Sequence, residues 1–131
     1  MQWTPGLHAG FSETEPWLPL ASEDPDLTVE RQRDDPGSVL RFVRALIDLR
    51  RRTPALSTGS YHSLPSLDEV FSFERGHPEG VVQIHLNFSD GTREVVLPRS
   101  GRVLLSTTGG LVDASQVPHL ALRARGGVIV G

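Results

Sequence analysis

The strongest pattern of apolar and polar positions lies within residues 36–56. At 100° per residue, its apolar side chains cover about half of a helical wheel. These side chains are Val39, Leu40, Phe42, Val43, Leu46, Ile47 and Leu49. Asp34 or Asp35 can cap the start, Pro36 suits a first turn, and Pro54 ends the pattern. The sequence therefore predicts one long α-helix over residues 36–56.

Residues 57–131 change to short runs with the period of β-strands. Strands are predicted at residues 59–64, 70–74, 81–88, 93–97, 102–107, 120–124 and 128–130. Asp90-Gly91 is typical of a tight turn, after which the chain returns. We expect the core to contain Phe71, Phe73, Val82, Ile84, Leu86 and Phe88. Seven strands at this spacing predict an antiparallel sandwich or barrel.

Residues 1–35 show neither period, and their apolar islands lie between Gly, Pro and acidic residues. A free loop of this length in a compact domain is uncommon and is usually functional or displaced from its proper context. The sequence thus predicts a mainly β protein in three parts. An irregular N-terminal segment (1–35) and one long helix (36–56) precede a β domain (57–131).

The composition narrows the class of protein. The chain has 131 residues and no cysteine, which excludes disulfides and thiolate chemistry. No apolar run approaches the roughly 20 residues of a membrane span, and the first residues lack a signal-peptide pattern. We therefore expect a cytoplasmic protein with no membrane partner. The net charge is −3 and the 13 basic residues, all arginine, are spread along the chain, so no nucleic-acid partner is expected.

No group of residues has the spacing of a metal site. The five histidines include no i, i+4 pair, so we expect them in solvent, with His85 on the polar side of its strand. The acidic residues between 23 and 30 do not match the offsets of a calcium loop. The sequence therefore predicts neither a metal site nor a cofactor.

Two further patterns carry little functional weight. Ser57, His62 and Asp68 can be drawn as a catalytic triad, but no nucleophile elbow supports them. Asn87 begins an Asn-Phe-Ser glycosylation acceptor, which has no use in a chain without a secretory signal.

Landmarks of one family occur in order along almost the whole chain. They are Met1-Gln2-Trp3, Ala9-Gly10-Phe11-Ser12, Pro16-Trp17-Leu18-Pro19, Asp35-Pro36, Leu46-Ile47-Asp48-Leu49-Arg50-Arg51, Pro54-Ala55-Leu56, Gly59-Ser60-Tyr61, Val70-Phe71-Ser72-Phe73-Glu74-Arg75 and Leu86-Asn87-Phe88-Ser89. With them, the sequence resembles the C-terminal end of bacterial α-glucosidases of the α-amylase superfamily, glycoside hydrolase family 13. Oligo-1,6-glucosidases and trehalose synthases share this end, and the last residues of the chain match it only loosely.

The resemblance implies a Greek-key sandwich of the amylase C-terminal type for residues 57–131, behind the last barrel helix. It also implies that Gln2 and Trp3 lie near the substrate in the intact enzyme. The family's nucleophilic Asp, acid/base Glu and third catalytic Asp would all precede Met1, so no catalytic residue is expected here. A retaining glycosidase needs two carboxyl groups about 5 Å apart, and no pattern in this chain places such a pair.

The resulting function is a non-catalytic C-terminal portion of an α-glucosidase. Its partner would be the catalytic (β/α)8 barrel, which it stabilises, and alone it would be inactive. The alternatives are a stand-alone carbohydrate-binding or protein-interaction module, for which few exposed aromatic rings are expected, and an independent hydrolase. Because Met1 coincides with a methionine inside the family pattern, we expect a truncated reading frame or a deliberate cut at that point.

Without a barrel, the apolar face of the predicted helix would lie in water. Full burial of one Val, Leu or Phe side chain is worth about 1.5–3 kcal/mol, so such a face favours association. We expect the β domain to cover the end of the helix at Leu46 and Leu49, and the rest to bind a second copy in a symmetric dimer. The predicted association surface comprises Val39, Phe42, Val43, Leu46 and Trp17.

Overall fold

The chain divides into two compact units, Met1–Ala45 and Leu46–Gly131. The computed structural model describes residues 1–22, 24–66, 69–108 and 117–131. Short helices come first and antiparallel strands follow, so the fold is mixed rather than mainly β. Within the described residues, no helix is both long and apolar enough to cross a membrane.

The segment predicted to be irregular contains regular structure. It forms two 3-10 helices, Leu7–Gly10 and Pro25–Leu27, and a short helix α1, Val29–Asp34. Helix α2 then runs over Val39–Arg52, and helix α3 over Pro54–Thr58. The predicted helix over residues 36–56 is thus too long at both ends, because Ser38 caps the start of α2 and Pro54 begins a new helix.

Ser38, and neither Asp34 nor Asp35, caps helix α2. The Ser38 Oγ atom accepts a hydrogen bond from the Arg41 N–H at 3.2 Å and donates one to the Gln32 carbonyl at 2.6 Å. Asp35 instead turns the chain locally, since its Oδ1 atom accepts from the Gly37 N–H at 2.8 Å. A serine that serves both helices fixes the corner between α1 and α2.

All seven predicted strands are present, with shifted ends. They are β1 Ser60–Ser63, β2 Val70–His77, β3 Gly80–Asn87, β4 Arg93–Gly101, β5 Val103–Ser106, β6 Val117–Leu122 and β7 Gly127–Val130. Strands β1-β2-β3-β7-β5 form a five-stranded sheet in that order, and β4 pairs with β6 in a two-stranded sheet. Every pairing is antiparallel.

The sequence predicts that the chain returns after Asp90-Gly91, but this turn does not close a hairpin. The chain bends there, but β3 belongs to the five-stranded sheet and β4 to the two-stranded sheet. The tight hairpin lies earlier, where His77 and Gly80 pair across two residues. A turn signal in the sequence therefore predicts that the chain changes direction. It does not predict which strand the following strand pairs with.

Two apolar clusters cover the two faces of the five-stranded sheet. The first combines residues of both sheets: Val70, Val95, Leu97, Val103, Leu122, Val128 and Val130. The second joins α2 and α3 to the sheet through Leu49, Ala55, Leu56, Val82 and Ile84. Half-buried side chains that pack on the second cluster are Phe73, Leu86, Leu104, Leu105 and Ile129. Strand β3, in the middle of the sheet, is therefore covered on both faces.

Of the six residues predicted to form the core, four are at least half-buried and two are exposed. Val82 and Ile84 are buried, and Phe73 and Leu86 are half-buried. Phe71 keeps 43% of its surface exposed and Phe88 keeps 66%. Both lie toward the same end of the β2–β3 pair, beyond the register pair Phe73–Ile84 that packs in the second cluster. The alternation was read correctly, but α2 and α3 cover only part of that face.

Candidate functional site

The backbone of Gln2 and Trp3 lies against the start of helix α1. The Val29 N–H donates to the Gln2 carbonyl at 3.0 Å, and the Glu30 N–H donates to the Trp3 carbonyl at 3.0 Å. These two helix donors have no partner within the helix itself. The two residues that the resemblance places near substrate therefore act structurally as a backbone cap.

The other two free donors at the start of helix α1, the N–H groups of Thr28 and Arg31, also have partners. The Thr28 N–H donates to the Pro25 carbonyl at 3.2 Å, and the Thr28 Oγ1 atom accepts from the Arg31 N–H at 3.4 Å. The Thr28 Oγ1 also donates to the Pro25 carbonyl at 2.7 Å, and the residue is buried. All four N–H groups at this helix start are thus occupied, and none is left for an anion.

Three consecutive residues next to Trp3 adopt left-handed backbone angles. The φ values are 51° at His8, 54° at Ala9 and 63° at Gly10. Outside glycine this conformation costs about 1–2 kcal/mol per residue. The Trp3 and Thr4 N–H groups both donate to the Ala9 carbonyl, at 2.8 and 3.2 Å, which holds the turn in place. Strain of this kind clusters at functional sites, so the turn marks the segment for attention.

A pocket of about 200 Å³ lies beside this turn, which contributes Ala9 to its lining. Its lining residues are Gln2, Thr4, Pro5, Gly6, Ala9, Leu20, Ser22, Asp24, Pro25 and Thr28. The Gln2 amide donates through Nε2 to the Ser22 carbonyl, and the Asp24 Oδ1 atom accepts from the Asp26 N–H at 3.0 Å. The pocket offers hydroxyl, amide and carboxylate groups that can hydrogen-bond a polar ligand. With Asp24 as its one carboxylate among the described lining residues, it does not form the carboxyl pair of a glycosidase.

Gln2 and Trp3 take different positions relative to this pocket. The Gln2 side chain lines it, whereas Trp3 is not part of the lining and keeps 48% of its surface exposed. The structure thus brings one of the two residues that the resemblance singles out into a candidate polar site. The role of both residues toward a substrate stays a prediction.

The residues of the predicted association surface differ in exposure. Val39 is 72% exposed and Trp17 is 91% exposed, while Val43 is also open and Phe42 is half-buried. Leu46 is exposed too, which is contrary to the expectation that the β domain covers it. Leu49 is buried against Val82 and Ile84, as expected.

His85 is buried, and its predicted place in solvent is wrong. The Nδ1 atom lies 2.9 Å from the Ser72 Oγ, and within the described residues the buried Nε2 atom has no hydrogen-bond partner. Burial lowers the pKa of this imidazole, because the charged form loses its hydration. Gln83 lies on the same strand face, and its Nε2 donates to the Arg99 carbonyl at 2.8 Å, while its buried Oε1 has no partner in the part of the chain that the structure describes. The alternation along β3 predicts a polar side in solvent, but β3 is a central strand covered on both faces and has no solvent side.

Asn87 serves the fold and is buried. Its Nδ2 atom donates to the carbonyls of Gly91, Leu122 and Arg123 at 2.8, 3.2 and 2.9 Å. Its Oδ1 atom accepts from the N–H and Oγ of Ser89 at 2.9 and 2.7 Å. A side chain with all these partners is closed to a glycosyl transfer in the folded chain, so this acceptor pattern has a structural reason.

Among the described residues, the remaining candidate groups do not come together in one site. Ser57 Oγ donates to the Arg50 carbonyl at 2.6 Å and His62 Nε2 lies 2.9 Å from Ser60 Oγ, while Asp68 lies outside the described residues. Across the ranges that the structure describes, no three His, Asp or Glu side chains come together as a metal site would require.

Comparison with known proteins identifies the family of this chain. The family model "Alpha amylase, catalytic domain" matches residues 1–59. The glucan 1,6-α-glucosidase of Streptococcus dysgalactiae subsp. equisimilis is 31% identical over 92% of this chain. The chain belongs to the α-amylase family. Within it, the probable oligo-1,6-glucosidase 3 of Bacillus subtilis (strain 168) is 32% identical over 91% of this chain.

A solved enzyme structure has the same fold over the region that this chain covers. The trehalulose synthase MutB of Pseudomonas mesoacidophila MX-45 superposes on 98% of the chain with a TM-score of 0.87 and 30% identity. The chain spans 24% of that enzyme, 22% of the Streptococcus relative and 21% of the Bacillus relative. It therefore corresponds to a small part of these larger enzymes.

Proposed function

We propose that this chain supplies the C-terminal portion of an α-glucosidase and that its role is to complete and stabilise the catalytic domain. It performs no glycosidic chemistry alone. In the intact enzyme, the reaction is hydrolysis of α-glucosidic bonds in oligosaccharides. One relative is named a glucan 1,6-α-glucosidase and another a probable oligo-1,6-glucosidase, which supports this substrate class.

One observation carries the proposal. The catalytic-domain match ends at residue 59, yet residues 46–59 belong physically to the second compact unit. Leu49, Ala55 and Leu56 are buried in one cluster with Val82 and Ile84 of the sheet. The sheet therefore packs against the last part of the catalytic-domain match, as expected of a unit that stabilises the end of a barrel.

The two sheets are, in this proposal, the C-terminal β-sandwich of such an enzyme. The first apolar cluster supports it, because it contains Val95 and Leu97 of the two-stranded sheet together with Val128 and Val130 of the larger one. Sandwich domains bury their core between two inner faces in this way. The Gln2 pocket would then border the catalytic centre, whose carboxylates are supplied by the rest of the enzyme.

A chimeric enzyme tests the proposal. The C-terminal part of the Bacillus oligo-1,6-glucosidase homologue is replaced by this whole chain, and the same enzyme truncated at the junction is the control. We expect the chimera to hydrolyse a nitrophenyl α-glucoside and the truncated enzyme to lose soluble expression and activity. The isolated chain should release no nitrophenol above an inert-protein blank. A truncated enzyme as active and stable as the chimera would refute the stabilising role.

A further inference from the structure

A second pocket lies at the end of strand β3, beside the turn between β6 and β7. Its volume is about 200 Å³, and its lining includes Leu86, Phe88, Thr107, Arg125, Gly126 and Gly127. Phe88, which the sequence predicts in the core, keeps 66% of its surface exposed. This Phe88 pocket therefore combines an exposed aromatic ring with a guanidinium and a hydroxyl group, all within the second compact unit.

Two glycines keep part of the pocket lining as bare backbone. At Gly126, a Cβ atom would lie 2.9 Å from the Arg123 carbonyl oxygen. Gly127 is the register partner of Leu86, and a Cβ atom there would lie 2.7 Å from Leu86 Cδ2. A side chain at the first position would collide with backbone, and one at the second would push Leu86 aside. Glycine at both positions therefore leaves space beside the Phe88 ring.

Arg125 has an unusual backbone conformation at this pocket. Its φ is 50°, in the left-handed region that residues other than glycine seldom adopt. Its N–H donates to the Ser89 carbonyl at 3.0 Å, and its Nε donates to Asp90 Oδ1 at 2.8 Å. Glycine would suit this backbone better, and strain of this kind clusters at functional sites. An arginine here therefore indicates a use for the guanidinium group.

Two ion pairs neighbour Phe88. The Phe88 N–H donates to the Glu69 carbonyl at 2.8 Å, and Glu69 Oε2 lies 2.8 Å from Arg93 Nη2. Arg125 Nη2 lies 2.6 Å from Asp90 Oδ1 in the other pair. A charged ligand would meet a like charge at either pair, whereas a neutral ligand would not. Because both contacts of Arg125 are to Oδ1, the Asp90 Oδ2 atom can accept from a hydroxyl group.

We propose that the Phe88 pocket binds a neutral oligosaccharide, one unit of which stacks on the Phe88 ring. A sugar has an apolar C–H face that suits an aromatic ring, and hydroxyl groups that suit a carboxylate and a guanidinium. The volume of about 200 Å³ is below the roughly 300–1,000 Å³ of sites for drug-sized ligands, so the pocket suits a single sugar unit.

The next unit of the oligosaccharide can lie on Phe71. This ring is 43% exposed, and Phe71 pairs with Leu86 of the pocket lining. The assignment of the ligand to α-linked glucose rests on the proposed function. A non-catalytic site of this kind would raise the local concentration of glucan at the enzyme.

An amide NMR titration of the isolated chain tests the proposal. Maltotriose and isomaltotriose are the α-glucan probes, and cellotriose is the β-linked comparison. We expect the amides of residues 86–88, 107 and 125–127 to shift on addition of either α-glucan. The dissociation constant should be on the order of 1 mM, as suits a small and exposed site.

Two variants and one control separate binding from folding. Phe88→Ala should weaken α-glucan binding at least about tenfold. Phe11→Ala should leave it unchanged, because Phe11 is similarly exposed, at 60%, and does not line the pocket. Arg125→Gly should also weaken binding, while the Tm stays the same or rises because glycine suits this backbone. An arginine with a purely structural role would give a lower Tm and unchanged binding.

Each contrary outcome removes a stated part of the proposal. The site is refuted if neither α-glucan shifts these amides at about 10 mM, or if Phe88→Ala and Phe11→Ala bind equally well. Equal affinity for cellotriose overturns the assignment to α-glucans. The proposed function has its own readout, the activity of the wild-type chimera. An inactive chimera with a glucan-binding chain refutes that function alone, and an active chimera without binding refutes this site alone.

Discussion

The Oγ atom of Ser72 and the Nδ1 atom of His85 lie 2.9 Å apart on paired positions of β2 and β3, and both residues are buried. A neutral imidazole can satisfy this contact in either tautomer. A protonated ring would add a second N–H at Nε2, which faces no acceptor among the described residues. The pair is therefore built for the neutral form of His85.

Stability should decrease as the pH falls below neutrality. Burial lowers the pKa of His85 in the folded chain, whereas the unfolded chain takes up this proton near pH 6.5. The stabilising contribution is complete above about 6.5 and is lost as the pH falls from there toward the folded pKa, with a slope of at most about 1.4 kcal/mol per pH unit. Urea unfolding at pH 7, 6 and 5 measures it.

Two variants separate His85 from the other titrating groups. His85→Gln should flatten the pH dependence between 7 and 5, although it also lowers stability overall. His119→Gln, at an exposed position on β6, should keep the slope of the wild type. Equal slopes in the wild type and in His85→Gln would show that another group is responsible.

Loss of the Asn87 side chain should be among the most costly polar changes in the chain. Asn87→Ala leaves three carbonyl acceptors and the two Ser89 donors without their partner, in or beside a buried region. We expect a loss of about 2–4 kcal/mol in the free energy of unfolding. Ser89→Ala removes fewer of these bonds and should cost roughly 1 kcal/mol. The prediction fails if the two variants unfold at the same denaturant concentration.

Two neighbouring apolar positions on β3 should differ in cost. Ile84 is buried in the second cluster, so Ile84→Ala should destabilise by about 2–5 kcal/mol. Leu86 is only half-buried beside the exposed Phe88, so Leu86→Ala should cost clearly less. Chemical denaturation of both variants decides the order, with Val96→Ala as an exposed reference expected within about 0.5 kcal/mol of the wild type. The reverse order would mean that the far end of this sheet face is covered in solution.

The isolated chain should associate with itself through helix α2. Val39 and Val43 project from the same side of the helix, one turn apart, and both are exposed. We propose a symmetric dimer, which Val43→Glu should weaken at least tenfold because it places a charge on that face. Arg41→Glu is the comparison, since Arg41 is already polar and exposed. Sedimentation at tens of micromolar measures the dissociation constant, and a wild-type monomer at that concentration contradicts the proposal.

The period of the apolar positions was enough to predict helix α2 and all seven strands. It does not predict which neighbouring helices and strands pack on each face of a strand. His85 was placed in solvent because β3 alternates, yet β3 is a central strand with an apolar cluster on either side. Phe71 and Phe88 were placed in the core for the same reason, yet α2 and α3 stop short of them. Alternation separates two faces, and only the neighbouring elements decide what each face meets.

The Gln2 pocket was beyond any local pattern. Gln2, Ser22 and Thr28 are distant in sequence, and they meet because the carbonyls of residues 2 and 3 bind the start of α1. The cap at Ser38 shows the same limit, since three acceptable capping residues occur within five positions. Which of the three residues caps α2 depends on the other hydrogen-bond partners that each side chain has. Those partners are known only from the three-dimensional structure.

The burial of Leu49, Ala55 and Leu56 against β3 bears on how such genes can recombine. A crossover near residue 59 would follow the end of the catalytic sequence, but it would pair one parent's helices with another parent's sheet. The three side chains and Val82 would then have to match by chance in size and shape. A crossover before residue 46 transfers all of them together. The unit that can be exchanged intact between genes is therefore the sheet together with α3 and the end of α2. Substitutions on the helices and on the facing strand are expected to co-vary.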